Sequence, residues 1–455
     1  MPFPNVFVLH LMLLCGWVLP ANAGLAAVEP SMIAFVRVNV APMDRERVLR
    51  KQTVIVENGR IRAIGPDLAV PKHARIVDGG GTAWLSPGLA DLHTHSDTRQ
   101  DMAVYLANGV TTVLHMGEAP NAFIGAMRAA IQRGDVPGPR VYAAFVIDGS
   151  QRYGHLAVRT PQQARALVEL AQTNDFDFIK VYNDLGAAAF DALIQEGSAR
   201  NMPVVGHGVN AVGLRRQIEA GQVLVAHAEE FFYTEFFKPG EDASTRAPDS
   251  RRIATTIALM KRNRPYVTAD LATYGAVASQ WGRPGVGLAY LRRPEALHLA
   301  PSERLDWHRR ADQYAKRSGT LDERMRFLQG FVKALADAGL PLVTGTDAPV
   351  VPGVFPGYSL HESLAALEAA GLSRYQALRA ATQAPGAFIS QYRPGSEPFG
   401  VIAADYRADL ILAAGNPLED LSTLKRPLGV MAHGRWYPRD TLQALTDQVA
   451  ADYAR

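Results

Sequence analysis

The stretch Ser86–Pro87–Gly88–Leu89–Ala90–Asp91–Leu92–His93–Thr94–His95 decides the reading of this chain. An apolar run ends in two histidines, two positions apart. Side chains at i and i+2 of a strand point to the same side. Both imidazoles can therefore reach one metal ion at the strand end, with nitrogen–zinc distances of about 2.0–2.1 Å. The Pro-Gly step ahead of the run and Asp91 within it separate this pattern from histidines that fall at a strand end by chance.

Downstream the chain alternates strand-like and helical stretches. Strand candidates end at His95 and then cover 111–117, 141–147, 176–182, 204–208, 223–228, 266–271 and 342–347. Helical stretches such as Gln162–Gln172, Ala187–Arg200 and Ala211–Ala220 lie between them, the last stopping at Gly221. Eight such units predict an α/β fold, a TIM-like (β/α)8 barrel with its chemistry at the C-terminal ends of the strands. The connection from Ala272 to Gly339 is long for a barrel unit and reads equally as a lid or as a surface excursion.

Both ends of the chain have a different texture. Thr53–Glu57 and Arg60–Gly65 flank Asn58–Gly59, a strong hairpin signal. Short β segments return at Ala408–Leu412 and Gly429–Ala432. The expected organisation is a β-sandwich built from residues 24–85 and 391–455, the latter including a C-terminal tail, around a barrel at 86–390. Residues 1–23 read as a signal peptide: an apolar run from Val6 to Leu19, then Pro20 and Ala21–Asn22–Ala23 as a cleavage pattern, although no Lys or Arg precedes the run. The run is short for a membrane span. The expectation is a secreted or periplasmic protein with no stable span once the leader is removed, and a membrane-associated one if the leader is kept.

The 455 residues are 48% hydrophobic and 20% charged with a net charge of +3, an ordinary globular balance without a basic block, which argues against a nucleic-acid partner. The single cysteine, Cys15, excludes an intrachain disulfide and a thiolate metal cluster. Self-association is left open.

Further strand ends carry metal-binding residue types. Lys180 closes the apolar run Phe178–Ile179, and an ammonium has no lone pair for a metal unless it is modified. His207 follows Val204–Gly206, His227 follows Val225–Ala226, and Asp347 follows Leu342–Thr346. His115 ends the second strand, and His155 follows the third in Tyr153–Gly154–His155. Phe231, Phe232, Tyr233, Phe236 and Phe237 cluster after the sixth strand, where packing or an apolar substrate pocket would each explain them. His361 reads as structural, and His73, His298, His308 and His433 as surface residues.

Together with Asn58–Gly59–Arg60–Ile61, Gly345–Thr346–Asp347, Ala408–Asp409–Leu410 and Gly415–Asn416–Pro417–Leu418, these motifs resemble the amidohydrolase superfamily. From Ser31 to Tyr437 the chain is most similar to its binuclear-metal branch with a carboxylated lysine, the imidazolonepropionase-like and dipeptidase-like amidohydrolases. The resemblance implies that His93, His95 and Asp347 hold one divalent ion, that His207 and His227 hold a second, and that Lys180, carboxylated by CO2, bridges them. Zinc is the expected metal, since the donors are nitrogen and oxygen. A water bridging two cations loses a proton near neutral pH and becomes a hydroxide nucleophile, with Asp347 as the catalytic proton carrier. The implied reaction is hydrolysis of an amide-type C–N bond in a dipeptide, N-acyl amino acid or cyclic amide, with His115, His155, Tyr182 and Tyr233 as substrate contacts. Two alternatives stand beside it. A mononuclear deaminase would carry a glutamate soon after His207, where this chain has Gly208, Val209 and Asn210. A non-catalytic barrel would be expected to lose ligands, and all six positions are present.

Overall fold

The computed structural model describes residues 32–237 and 245–454. The leader read at residues 1–23 lies outside them. Eight parallel strands form the barrel: Leu89–Thr94, Val110–His115, Arg140–Asp148, Phe178–Val181, Val204–Gly206, Leu224–Val225, Tyr266–Thr268 and Leu342–Val343. A short strand, Leu156–Ala157, adds to the third. The eighth strand closes on the first through Leu92 N–H to Thr344 O at 2.9 Å and His95 N–H to Ala348 O at 2.8 Å, with a parallel bridge between Thr94 and Ala348.

The barrel interior is packed rather than open. Leu92, Leu114, Tyr142, Phe178, Val205, Leu224 and Tyr266 share one apolar cluster. Helix Gln383–Tyr392 plugs its base, with the Phe388 ring 5.3 Å from Phe178 and 5.1 Å from Tyr266. The helices outside bury a larger cluster around the wall. This leaves the opposite end, where the strands finish, as the mouth.

The long connection after the seventh strand resolves into two functions. Helix Asp322–Asp337 is the barrel's own helix: Phe327, Leu328, Phe331, Val332 and Leu335 recur at helical spacing and are buried in the main core. The part before it, including helices Leu271–Gln280 and Pro301–Ala315, is pinned over the loop that follows the eighth strand. Fully buried Trp307 donates its indole N–H to Pro349 O at 2.7 Å, and Gln280 donates to Pro352 O at 2.8 Å.

The two ends of the chain meet in one eight-stranded sheet. Its order, from one edge, is Arg435–Pro438, Gly429–Ala432, Leu410–Ala413, Trp84–Pro87, Met32–Val40, Leu49–Glu57 and Arg60–Gly65, with Arg75–Asp78 also paired to Met32–Val40. Phe35 and Trp436 are four strands apart in that order, a separation of about 19 Å in a flat sheet at roughly 4.8 Å per strand. Their rings lie 5.1 Å apart, so the sheet curls over its own apolar face in the manner of a sandwich. The stretch expected to be a tail is instead a helix, Arg439–Tyr453, whose Leu442 and Val449 pack against the first barrel helix, Arg99–Ala107.

Buried Arg407 joins sheet to barrel. It donates to Asp409 in the sheet and to Thr112 on the second barrel strand, with its guanidinium 4.4 Å from the Phe399 ring centre. Arg407→Ala strands the buried Asp409 carboxylate, so chemical denaturation is expected to show a loss of about 3–5 kcal/mol.

Candidate active site

The first strand delivers its two histidines by breaking its own alternation. Leu89 packs in the outer layer, while Ala90 and Leu92 pack inside the barrel. Strict alternation would then turn His93 outward. A register irregularity against the second strand between Asp91 and Thr94 switches the phase, and His93 and His95 both face the mouth. Their Nε2 atoms lie 3.2 and 3.0 Å from the same oxygen, Asp347 Oδ1.

Asp347 is held by the first strand as well. Its N–H and that of Thr346 both donate to His93 O, at 2.7 and 3.1 Å. Asp347 itself adopts φ = 59°, in the left-handed region that a non-glycine residue enters only under constraint. Beneath it, the Asp91 carboxylate accepts from Thr346 Oγ1 at 2.6 Å, Thr346 N at 3.0 Å and His93 N at 3.2 Å. Gly345 is required here for space: a Cβ would sit 2.6 Å from His93 Cβ and 2.5 Å from Thr268 Cγ2.

The fourth, fifth and sixth strands complete the ring. The His93 ring is 4.3 Å from that of His227 and 6.5 Å from that of His207, which are 5.0 Å from each other. Lys180 is fully buried, with Nζ 3.3 Å from His93 Nε2. That imidazole is its only hydrogen-bond partner among the described residues. Burial pushes the lysine down to about 8, against the pull of Asp347 and Glu230. Each of three histidines turns Nδ1 to an acceptor: His93 to Ala226 O at 3.1 Å, His207 to Glu230 at 2.5 Å, and His227 to Asp270. Glu230 also accepts from Gly208 N at 2.9 Å.

This donor chemistry fits a metal site. Ala226 O can only accept, so the His93 proton sits on Nδ1 and a lone pair occupies Nε2. That lone pair faces a carboxylate oxygen at 3.2 Å. Burial lowers the imidazole's pKa, which disfavours a second ring proton, and among the described residues the donor that reaches this Nε2 is the Lys180 amine at 3.3 Å. A cation between the two acceptors would satisfy both. Histidines whose Nδ1 is engaged by carboxylate or carbonyl, with Nε2 free, are the usual form of metal ligands. His93, His227 and Asp347 already place ligand atoms within 4.8 Å of one another, which sets His227 closer to the first pair than an even division of ligands between two ions suggests.

The residues singled out as substrate contacts take different positions. Tyr182 lies over the site, its ring 4.1 Å from His207. His155 is 4.4 Å from Tyr182; its Nδ1 is paired with Glu118, and its Nε2 is buried without a partner among the described residues. His115 is buried behind His95, 6.2 Å between rings, and accepts from Gly117 N–H, leaving Nε2 without a partner among the described residues. Burial pushes His115 down to about 3. Tyr233 lies on the turn Phe232–Phe236 and is about one-third exposed, while its phenylalanine neighbours are buried in the core. His361 Nε2 donates to Asn108 O at 2.9 Å from a buried helix position, consistent with a structural role. His433 departs from its surface reading: it is half-buried, with Nε2 enclosed, because the sheet packs against the barrel base there.

Sequence reasoning missed Glu230, Asp270 and Glu118, and it left Asp91 and Thr346 without roles. Asp270 had a signal, since it follows a barrel strand as Asp347 does. Glu230 follows His227 by three residues, but it serves His207 on the neighbouring strand, and only the fold makes that pairing.

The chain superposes on bottromycin amidohydrolase with a TM-score of 0.71 at 22% identity, covering 94% of this chain and 91% of that one. The fold is that of the amidohydrolases. A Xaa-Pro dipeptidase with methionine bound in its active site aligns with a TM-score of 0.66 at 19% identity, over 90% of this chain and 100% of that one. Molinate hydrolase aligns at 0.65 and 19%, over 90% and 95%. No family model matches the chain. Curated relatives match over short stretches: the dihydroorotase of Mycobacterium tuberculosis is 52% identical over 42 residues, 9% of this chain and 10% of that protein. The imidazolonepropionase of Cupriavidus pinatubonensis is 42% identical over 55 residues, 11% and 13%. The match thus spans about a tenth of the length of these relatives.

Glu230→Gln and Asp270→Asn keep the shape behind His207 and His227 while removing the charge. Each is expected to weaken zinc binding about 10- to 100-fold in competition with a chromogenic chelator.

Proposed function

We propose that this chain is a metal-dependent amidohydrolase of the binuclear branch, cleaving an amide-type C–N bond in a dipeptide, N-acyl amino acid or cyclic amide. The observation that carries the reading is Lys180. A lysine amine is fully buried among histidines and Asp347, with no carboxylate within salt-bridge distance among the described residues. As an ammonium it would be poorly solvated; as the neutral amine that burial favours, it can add CO2. Carboxylated, it presents two oxygens to the space that His93, His95, Asp347, His207 and His227 surround.

His93, His95 and Asp347 would hold one divalent ion, His207 and His227 the other, and the modified Lys180 would bridge. Bound there, two such ions, zinc by the donor set, would supply Lewis-acid polarisation of a scissile carbonyl and a more acidic water. The protein does the rest. Hydrogen bonding from His95 holds Asp347 well below the usual carboxylate range despite its burial. Asp347 is thus ionised at the mouth, where its free oxygen can take a proton and pass it to the departing nitrogen. Amide nitrogen leaves poorly unless protonated, so this placement at the mouth suits C–N cleavage. Tyr182 stands against His207 and His155 stands against Tyr182, which puts both beside the mouth where a substrate would enter. A deaminase is less well supported: the carboxylate beside His207 is Glu230, behind the ring at Nδ1 rather than in the mouth. From the leader read at residues 1–23 we propose a secreted or periplasmic protein, membrane-associated if the leader is kept. Among the described residues no helix is long and apolar enough to cross a membrane.

The test is metal analysis plus a turnover screen over dipeptides, N-acyl amino acids and lactams. Lys180→Ala is expected to lose bound metal and at least about 10²–10³-fold in kcat/KM, the scale of removing one preorganised electrostatic group. Full metal and full activity in that variant would overturn the binuclear assignment. Stripping with a chelator is expected to abolish activity, and zinc is expected to restore it faster with added bicarbonate than without.

A further inference from the structure

An apolar groove of about 410 Å³ runs along the outer side of the third barrel strand, from Gly117 and Leu156 near the mouth to Leu170 and Phe176 on and after helix Pro161–Thr173. Its size is within the range of small-molecule sites. Leu156 and Leu170 are 53% and 47% exposed, unusual for leucines that flank one cleft. Phe145 and Phe176 form an edge-on pair in its wall, 5.0 Å between rings. No Lys or Arg lines the groove, and its one charged residue, Glu118, is engaged by His155.

The groove and the candidate active site share a lip. Gly117 lines the groove, yet a Cβ on it would lie 2.4 Å from His95 Nδ1. Only a glycine's thickness therefore separates a metal-ligand candidate from the groove. Glu118 also belongs to both, since it pairs with His155, whose ring contacts Tyr182 above His207. A substrate with its carbonyl at the histidines can lay an extended tail over this lip, and the lining favours a tail that is apolar and uncharged.

We propose that the groove binds the aliphatic chain of an N-acyl amino acid, which selects that substrate from the classes above; the inference rests on the proposed amide hydrolysis. One water adds across the C–N bond, releasing the fatty acid and the amino acid. Acetate, hexanoate and decanoate probe the product side by isothermal titration, and the matching N-acylglycines probe turnover. Affinity and kcat/KM are expected to rise at least tenfold from the six-carbon to the ten-carbon chain. In Leu170→Asp, at an exposed helix position, that dependence on chain length is expected to flatten. Leu156→Asp, at the other end, should do the same should the first variant fold poorly. A response indifferent to chain length, with short amides still hydrolysed, overturns the inference and leaves the proposed function standing. Hydrolysis of no amide overturns both. A dimer by light scattering that Leu170→Asp converts to monomer would assign the groove to a second copy of the chain and overturn the acyl assignment.

Discussion

The Asp91 carboxylate, accepting from Thr346 Oγ1, Thr346 N and His93 N, is the interaction on which the mouth of the barrel depends. It ties the first strand to the eighth at the level where both change direction. Above it, His93 O takes the N–H groups of Thr346 and Asp347, and the His93, His95 and Asp347 side chains converge. Burial pushes Asp91 up to about 7, so the three donors are what hold it in place as an acceptor. The strained φ of Asp347 and the lack of room for any side chain at Gly345 are consequences of the same closure. A barrel that closed less tightly here would keep its strands and lose its site.

Around that pin the electrostatics are arranged for cations. Glu230 and Asp270 stand behind His207 and His227, and Asp347 stands before His93 and His95. Buried carboxylates in a low-dielectric pocket repel one another unless positive charge is shared among them. The single lysine present is the group that burial tends to neutralise. Imidazole nitrogens and carboxylate oxygens aimed at a common space are stable together when ions occupy that space, which is the physical basis of the proposed metal site.

In the proposed function, selectivity belongs to different elements from the chemistry. The helices between the seventh and eighth strands clamp the loop after Asp347 through Trp307 and Gln280, which stiffens one side of the entrance. The other side, after the second and third strands, carries Glu118, His155 and the exposed leucines. A rigid ligand-bearing floor beneath variable rims is how barrels support many substrates on one frame.

Much of this was legible in the sequence. The eight strand positions, the Asn58–Gly59 hairpin and the strand-end placement of His93, His95, Lys180, His207, His227 and Asp347 follow from local rules, because strand period, turn chemistry and strand ends are encoded over a few residues. Other features are not local. The phase switch between Asp91 and Thr94 depends on register with the second strand. The carboxylates that orient His207 and His227 lie 23 and 43 positions away, and Asp91 meets Thr346 across 255. The curl that joins Phe35 to Trp436, the enclosure of His433 and the groove beside Gly117 exist only once separate elements pack. The sequence by itself determined which residue types stand at the ends of which strands. The tertiary structure decided which of them share an ion-sized space, which acceptor each Nδ1 faces and where an apolar tail could lie, because those depend on distances between segments that no local pattern sets.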